Sequence, residues 1–305
     1  MLNKEQVVVI FFDVEKAYDR TWRYGIVKDL FDAGLRGLLP MFISEFIINR
    51  TFNLKLKDIF SRKKELEMGL PQGSILSVSL FCLKINSIIK HMPPEILNCM
   101  YIDDCIIAYK NKSIDSIGIE LNKTLQTIEN WALNNGVIFS STKTEAILFT
   151  NKRKNIYPKL TFKNNLIKYS KTYMFLGLIF DEKLNFIPHV NYLKRKCIKT
   201  MNIIKVLSNY KWGANEDKLL DIYRAKIRSK LDYGCQIYGA ARPTYLKTLN
   251  SVSNEALRRC LGAYRTSPST SLHVLAYEQP RHIGNIKLSL NYYVKNKSNP
   301  YNSAF

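Results

Sequence analysis

The stretch "CMYIDDCIIAY", residues 99–109, places two adjacent carboxylates between two apolar flanks. Apolar residues, a short polar step and apolar residues again predict a β-hairpin with Asp103 and Asp104 at its tip. Two carboxylates held close to each other repel, and one pKa rises unless a cation lies between them. An ordinary surface turn is the alternative interpretation, because Asp is a common turn residue.

A third carboxylate follows another buried stretch. The run "VVVIFF", residues 7–12, is apolar and of strand length, which predicts a strand buried on both faces that ends at Asp13. Antiparallel pairing with the hairpin would bring Asp13 to the same sheet edge as Asp103 and Asp104. A pair of Mg²⁺ ions about 3.5–4 Å apart, shared by such carboxylates, would relieve the repulsion and serve phosphoryl transfer.

The overall composition is that of a globular protein. The 305 residues are 46% hydrophobic and 23% charged, and no apolar run reaches the roughly 18 residues of a membrane span, so we expect no membrane partner. The amino terminus lacks a signal-peptide cleavage pattern. Six Cys show no metal-ligand spacing, which predicts reduced thiols and an intracellular protein of the nucleus or cytoplasm.

The charge is distributed unevenly along the chain. Residues 1–150 hold 18 Lys and Arg against 17 Asp and Glu, a net charge of +1, whereas residues 151–305 hold 28 against 8, a net charge of +20. A basic surface of this size favours nucleic acid as the partner. The alternative is a Lys-rich composition that serves only solubility.

Periodicity divides the chain into an α/β part and a helical part. An amphipathic helix is predicted from about residue 113 to 135, ended by Gly136, and three helices with basic faces are predicted at about 187–208, 215–233 and 243–262. We therefore predict an α+β fold with domains at 1–182, 183–265 and 266–305, the last partly disordered.

Several motifs resemble those of one polymerase family. Asp13, Pro71-Gln72-Gly73 and Tyr101-Ile102-Asp103-Asp104 stand in the order of the palm motifs of reverse transcriptases. "FFDVEKAYDRTW", "FIINRTFNLKL", "GLPQGSILS", "STKTEAILFT" and "FLGLIFDEKLNF" are similar to the polymerases of jockey-like non-LTR retrotransposons. The resemblance implies a polymerase palm, an antiparallel sheet with helices on one face, followed by a helical thumb. It covers nearly the whole chain.

The resemblance also implies a role for individual residues. Asp13, Asp103 and Asp104 would be catalytic and, with the backbone carbonyl of Val14, would hold two Mg²⁺ ions, or Mn²⁺ in their place. The implied nucleotide-binding residues are Tyr18, which would exclude a ribose 2′-OH, Gln72, Gly73 and Lys143. The implied primer and template contacts are Tyr101, Phe175, Leu176, Gly177, Lys194, Arg195, Lys196 and Lys199. Each of these roles has a simpler alternative. Tyr18 could be an ordinary packed aromatic residue, Gly73 part of a helix-entry turn, and Lys143 a solvated lysine. The last four residues could form a solvated helix face.

Two functional hypotheses follow from the resemblance. The first is an RNA-directed DNA polymerase domain of a mobile element that uses an RNA template, a DNA primer and dNTPs, within a longer polyprotein if the element is intact. The second is a truncated remnant that binds nucleic acid without catalysis, since only twelve residues precede Asp13 and the family's fingers strands are missing. A viral RNA-dependent RNA polymerase shares the palm but usually has Gly before the paired aspartates. The oligomeric state is not indicated by the sequence.

Overall fold

The computed structural model describes residues 5–152, 155–209 and 211–299. The chain forms two compact units, the first ending at Lys171 and the second beginning at Thr172. The sequence predicts this boundary between residues 182 and 183. In the structure, residues 172–182 belong to the second unit. The reason is packing, because Leu178 lies in the hydrophobic core of the helical unit.

The first unit combines one main sheet with helices and short hairpins. Its elements in chain order are β1 (Gln6–Asp13), α1 (Arg23–Asp32), α2 (Leu38–Ile47), β2 (Thr51–Phe52), β3 (Lys55–Leu56), β4 (Ile59–Phe60), β5 (Lys64–Glu65), α3 (Ile75–Asn86), β6 (Leu97–Tyr101), β7 (Asp104–Asn111), α4 (Ile114–Asn135), β8 (Glu145–Phe149), β9 (Thr161–Phe162), β10 (Asn165–Leu166) and β11 (Lys168–Tyr169). A 3₁₀ helix, Ser87–His91, follows α3. The α+β class predicted from the sequence is confirmed.

The main sheet has five strands in the order β11-β8-β1-β7-β6. Strand β1 is central and pairs antiparallel with both β7 and β8, while only β11 runs parallel to its neighbour β8. Val8, Ile10 and Phe12 of β1 join a core formed with the helices. Val9 and Phe11 on the opposite face are buried too, as the continuous apolar run predicts.

Helix α4 covers this core and has defined ends. The Ser113 side chain accepts a hydrogen bond from the backbone N–H of Ser116, and Gly136 ends the helix with a φ of +67°. Ile117, Leu121 and Leu125 lie on its buried side. Both ends and the buried face agree with the sequence prediction, because capping residues and periodicity are local signals.

The second unit is a short hairpin followed by helices. Its elements are β12 (Thr172–Phe175), β13 (Leu178–Asp181), α5 (Ile187–Leu207), α6 (Glu216–Tyr223), α7 (Ser229–Asp232), α8 (Cys235–Tyr238), α9 (Pro243–Cys260), α10 (Ser269–Leu275) and α11 (Arg281–Lys297), with a π-helical turn, Arg224–Arg228, between α6 and α7. The segment 266–305, predicted to be partly disordered, therefore contains two helices, and its residues 300–305 lie outside the described part. No helix within the described residues is both long and apolar enough to span a membrane.

A buried carboxylate joins two parts of the second unit. The side chain of Glu278, only 4% exposed, accepts a hydrogen bond from Arg224 Nε at 2.7 Å and forms a second ion pair with Arg228. Arg224 and Arg228 are the first and last residues of the π-helical turn. This arginine–glutamate–arginine cluster ties the segment after α10 to the helices before it.

Candidate functional site

Backbone pairing brings the predicted carboxylates together. Asp13, the last residue of β1, is the register partner of Asp104, the first residue of β7. Tyr101 pairs with Asp104, which leaves Ile102 and Asp103 as the two-residue loop of the hairpin. The predicted hairpin and its juxtaposition with Asp13 are confirmed. Ile102 has a φ of +57°, a conformation that is unfavourable for a β-branched residue.

The electrostatics of this edge are those of like charges held close to one another. Partial burial raises the pKa of Asp104, and the negative charges of Asp103 and Asp13 raise it further. Lys143 Nζ donates a hydrogen bond to Asp13 Oδ2 at 2.9 Å, and this contact raises the pKa of Lys143. The Lys143 ammonium group neutralises part of the negative charge of the half-buried Asp13 side chain.

The donor chemistry of this edge fits a hard divalent cation. In the described part of the chain, no three His, Cys, Asp or Glu side chains form a ready set of metal ligands. Mg²⁺, however, commonly uses only one or two protein carboxylates and completes its shell with substrate phosphates and water. Asp13 already contacts one cationic group, the Lys143 ammonium. The ionised form of Asp104 is disfavoured by partial burial and by the negative charges of Asp103 and Asp13. These residues therefore suit a metal that arrives with its substrate.

Tyr18 lies close to the carboxylates. Its ring is 5.4 Å from that of Phe81, centroid to centroid, and its side chain is half-buried. Burial raises the pKa of Tyr18, with smaller contributions from Cys82 and Asp103. The contribution of Asp103 shows that the ring and the hairpin tip are near enough to influence each other. Tyr18 is thus both a packed aromatic residue and a neighbour of the candidate site.

The loop that carries Gln72 and Gly73 is attached beside Tyr18. Gln72 Nε2 donates a hydrogen bond to Asp19 Oδ1 at 2.7 Å, and the backbone N–H of Leu70 donates to the Tyr18 carbonyl at 2.7 Å. Gly73 has a φ of +90°, with no atom within 4 Å of where a Cβ would lie. Backbone conformation rather than close packing is therefore the reason for glycine at this position.

Two residues that sequence reasoning missed hold this loop in place. Arg23, 5% exposed, donates to the Met68 carbonyl at 2.7 Å and to the Gly69 carbonyl at 3.0 Å. Gly69 has a φ of +88°, and a Cβ there would lie 2.7 Å from the Asp19 carbonyl oxygen. Gly69, the first glycine of "MGLPQG", is a local sequence signal for a close approach between backbone segments. Nothing in the sequence marks Arg23 as buried.

The remaining sequence-predicted residues of the first unit have simpler surroundings. Val14 is buried and forms an isolated β-bridge with Phe139, directly after Asp13. Tyr101 is 57% exposed at the end of β6. The structure thus brings together Asp13, Val14, Tyr18, Tyr101, Asp103, Asp104 and Lys143 through strand pairing, ion pairing and electrostatic proximity, and places Gln72 and Gly73 on the adjoining loop.

The other predicted contacts belong to the second unit. Phe175 is the last residue of β12, and Leu176 and Gly177 form the turn to β13, where Tyr233 Oη donates to the Leu176 carbonyl at 2.7 Å. A Cβ at Gly177 would lie 3.3 Å from the Tyr233 ring. The four basic residues predicted to contact a duplex, Lys194, Arg195, Lys196 and Lys199, all lie on α5. Lys194 is half-buried and the other three are exposed.

Comparison with known proteins matches a family model to the first unit and most of the hairpin after it, and matches relatives to most of the chain. The family model described as "Reverse transcriptase (RNA-dependent DNA polymerase)" matches residues 1–180. The chain is 29% identical over 276 residues to the RNA-directed DNA polymerase from mobile element jockey of Drosophila melanogaster, covering 86% of this chain and 29% of that protein. It is 25% identical to the probable RNA-directed DNA polymerase from transposon X-element of the same species, covering 89% and 30%.

A solved structure is also similar, at a lower level. Apo telomerase from Candida tropicalis matches with a TM-score of 0.46 and 13% sequence identity, over 88% of this chain and 43% of that one. The chain spans less than a third of the length of the two curated relatives. Because the family model covers more than half of the chain, including the three aspartates, the chain belongs to the reverse transcriptase (RNA-dependent DNA polymerase) family.

Proposed function

We propose that this chain is the RNA-directed DNA polymerase domain of a non-LTR mobile element. It would transfer a nucleotide from a dNTP to the 3′-OH of a DNA primer paired with an RNA template. The observation that carries the proposal is the register pair Asp13–Asp104 with Asp103 in the adjoining turn, inside the segment that matches the family model.

In this proposal the carboxylates bind the catalytic metals. Asp13 and Asp103, supported by Asp104 and the Val14 carbonyl, would hold two Mg²⁺ ions or Mn²⁺ in their place. Bound metals would lower the pKa of the attacking 3′-OH and stabilise the pyrophosphate that leaves. Partial burial raises the pKa of Asp104, and the negative charges of Asp103 and Asp13 raise it further. The second contribution supports this assignment, because cations between the carboxylates would relieve that repulsion.

Residues around the carboxylates would bind and select the nucleotide. Tyr18, half-buried against Phe81, would crowd a ribose 2′-OH and so favour deoxynucleotides. Gln72 and Gly73 would lie against the incoming nucleotide, on a loop held by Arg23. Lys143 would exchange its contact with Asp13 for the triphosphate and supply a proton to the leaving pyrophosphate.

The primer and template would be held by groups from both units. Tyr101 at the hairpin would contact the primer end. Phe175 at the end of β12, with Leu176 and Gly177 in the turn after it, would support the primer strand. The basic face of α5, formed by Lys194, Arg195, Lys196 and Lys199, would contact phosphates of the duplex. The net charge of +20 in residues 151–305 supports this assignment.

Primer extension on an RNA template with Mg²⁺ tests the proposal. The chain and its Asp103→Asn variant are compared for dNTP incorporation, with binding of a labelled RNA–DNA hybrid measured in parallel. Incorporation by the chain, lost in the variant, supports polymerase function. Hybrid binding without incorporation by either protein would instead support a nucleic-acid-binding remnant.

A further inference from the structure

A recess in the second unit is lined by three arginines that none of the roles above uses. It has a volume of about 690 Å³ and lies between the end of α5, the last turns of α9 and the loop after α9. Its lining residues are Ser208, Glu255, Arg258, Arg259, Gly262, Ala263 and Arg265. Three guanidinium groups against one carboxylate leave the recess with a formal charge of +2.

The arginines of this recess keep much of their hydrogen-bonding capacity. Arg258 Nη2 donates to the Ser267 carbonyl at 3.1 Å, and Arg259 Nη2 pairs with Glu255 Oε1 at 2.7 Å. Each guanidinium has five N–H donors. The Nε atoms of Arg258 and Arg259 are buried and have no hydrogen-bond acceptor among the described residues. Arg265 is exposed at the rim.

Basic residues at the end of a helix have a simpler explanation, which does not account for the whole recess. Arg258 and Arg259 occupy the last turn of α9, where positive charge stabilises the carbonyl end of a helix. That effect needs no third arginine from the following loop. Several planar guanidinium groups that line one recess are suited to binding phosphate oxygens.

The recess continues one side of α5. Lys194 and Lys205 are eleven residues apart, close to three helical turns, so they lie on the same side of the helix. Ser208, which lines the recess, follows Lys205 by three residues, and its hydroxyl donates to the Lys205 carbonyl at 3.2 Å. From Lys194 to Ser208 this track is about 21 Å long at 1.5 Å per residue.

We infer that the arginine recess binds a backbone phosphate of a polynucleotide whose strand runs along α5. The inference rests on the proposed nucleic-acid binding by α5 and extends it to a separate site. With one phosphate per 3.4 Å of each strand, a track of about 21 Å spans roughly six phosphates. The ligand chemistry is a phosphodiester, from either an RNA or a DNA strand.

Equilibrium binding of labelled duplexes to the full chain tests this site. The double variant Arg259→Gln with Arg265→Gln removes two charges from the recess and leaves the Arg258–Ser267 contact intact. The matched control, Arg242→Gln with Lys247→Gln, removes two exposed charges at the opposite end of α9. An RNA–DNA hybrid and an all-DNA duplex, each of about 20 base pairs, are titrated at several salt concentrations to separate the two sources of phosphate.

We expect the recess variant to bind about tenfold more weakly at about 0.15 M salt. The slope of its logarithmic binding constant against logarithmic salt concentration should be smaller by the equivalent of about one to two phosphate contacts. The control should stay within about threefold of the unmodified chain, because its charges contribute only at long range. Equal weakening of both variants, or no weakening of the recess variant, would overturn the inference. If the double variant melts at a lower temperature, Arg265→Glu alone replaces it, since that side chain lies at the exposed rim.

A separate variant distinguishes this inference from the proposed function. Lys194→Gln with Lys199→Gln removes charge from the face of α5 that the proposed function uses. Loss of binding there, with the recess variant unaffected, contradicts only the recess. Failure of the unmodified chain to bind either duplex contradicts both.

Discussion

The hairpin edge of the first unit and the basic helices of the second hold their polar groups in different ways. Asp13 and Asp104 are located by strand pairing, which fixes the position of each residue relative to the neighbouring strand. The lysines of α5 are located only by helical periodicity on an exposed surface. Single substitutions at the hairpin edge should therefore be decisive, whereas effects on the helices should be graded, except where a side chain is buried.

The largest effect is expected from Asp103→Asn. Polymerisation should fall by about 10³-fold or more, because the amide keeps the shape of the turn but cannot hold a metal with a negative charge. Primer extension measures the loss, and thermal unfolding checks that the fold is retained. A comparable loss from Lys196→Gln on α5 would break the contrast between the two regions.

Glu278→Gln tests the expectation that a buried side chain of the second unit, unlike an exposed one, gives a large effect. Removing the carboxylate leaves Arg224 and Arg228 without their shared acceptor, and we expect a loss of about 3–5 kcal/mol in the free energy of unfolding of this unit. Urea unfolding, followed by signals from both units, measures it. The control is Glu255→Gln, whose ion pair with Arg259 is partly exposed and should be worth at most about 1 kcal/mol. Similar losses in both variants would contradict the prediction.

Arg23→Met is expected to have an intermediate effect on the first unit. The Met68 and Gly69 carbonyls lose their donors, which should reduce the free energy of unfolding by about 1–3 kcal/mol. Denaturant unfolding measures the change. The matched variant Arg20→Met loses only a half-exposed ion pair with Glu15 and should change stability by less than about 1 kcal/mol. If the two arginines proved equivalent, burial would not be what distinguishes them.

The smallest effect concerns pH. The pKa of Asp104 is raised in the folded chain, so its ionisation weakens the fold as the pH rises from the unfolded value, 3.8, through the folded value. In the absence of divalent ions, Asp104→Asn should therefore raise the Tm near neutral pH by about 1–3 °C. Below pH 3.8 the gain should vanish, because both side chains are then neutral. A gain that is independent of pH would show that the charge is not its cause.

The sequence predicted the features that depend on local pattern. Asp13 and Asp103 were found because each follows an apolar strand, and Gly136 because capping is a local signal. Lys84 shows what local pattern misses. It is the only charged residue of α3, whose sequence "ILSVSLFCLKIN" is otherwise mostly apolar, but its buried ammonium group pairs with Asp29 at 3.1 Å and with Asn135 at 2.8 Å. Such partners are set by tertiary packing between helices.

The contacts of Arg23 and Glu278 were missed for the same reason. Arg23 bonds to carbonyls about 45 residues further along the chain, and Glu278 binds arginines 50 and 54 residues before it. The predicted boundary after residue 182 followed a change in composition, whereas the observed one after Lys171 follows packing of Leu178. The specific roles given to the site residues stay predictions until they are measured.

The burial of β1 on both faces has a consequence for how the sheet finds its alignment. In a strand with one apolar face, burial of that face sets the register. In "VVVIFF", however, a one-residue shift in register would place another apolar side chain at every position. The polar residues at its ends, Gln6 and Asp13, are what such a shift would misplace. Asp13 therefore also helps to set the register of β1 relative to β7. Replacing it by Val would permit misaligned molecules that Asn in the same place would still exclude.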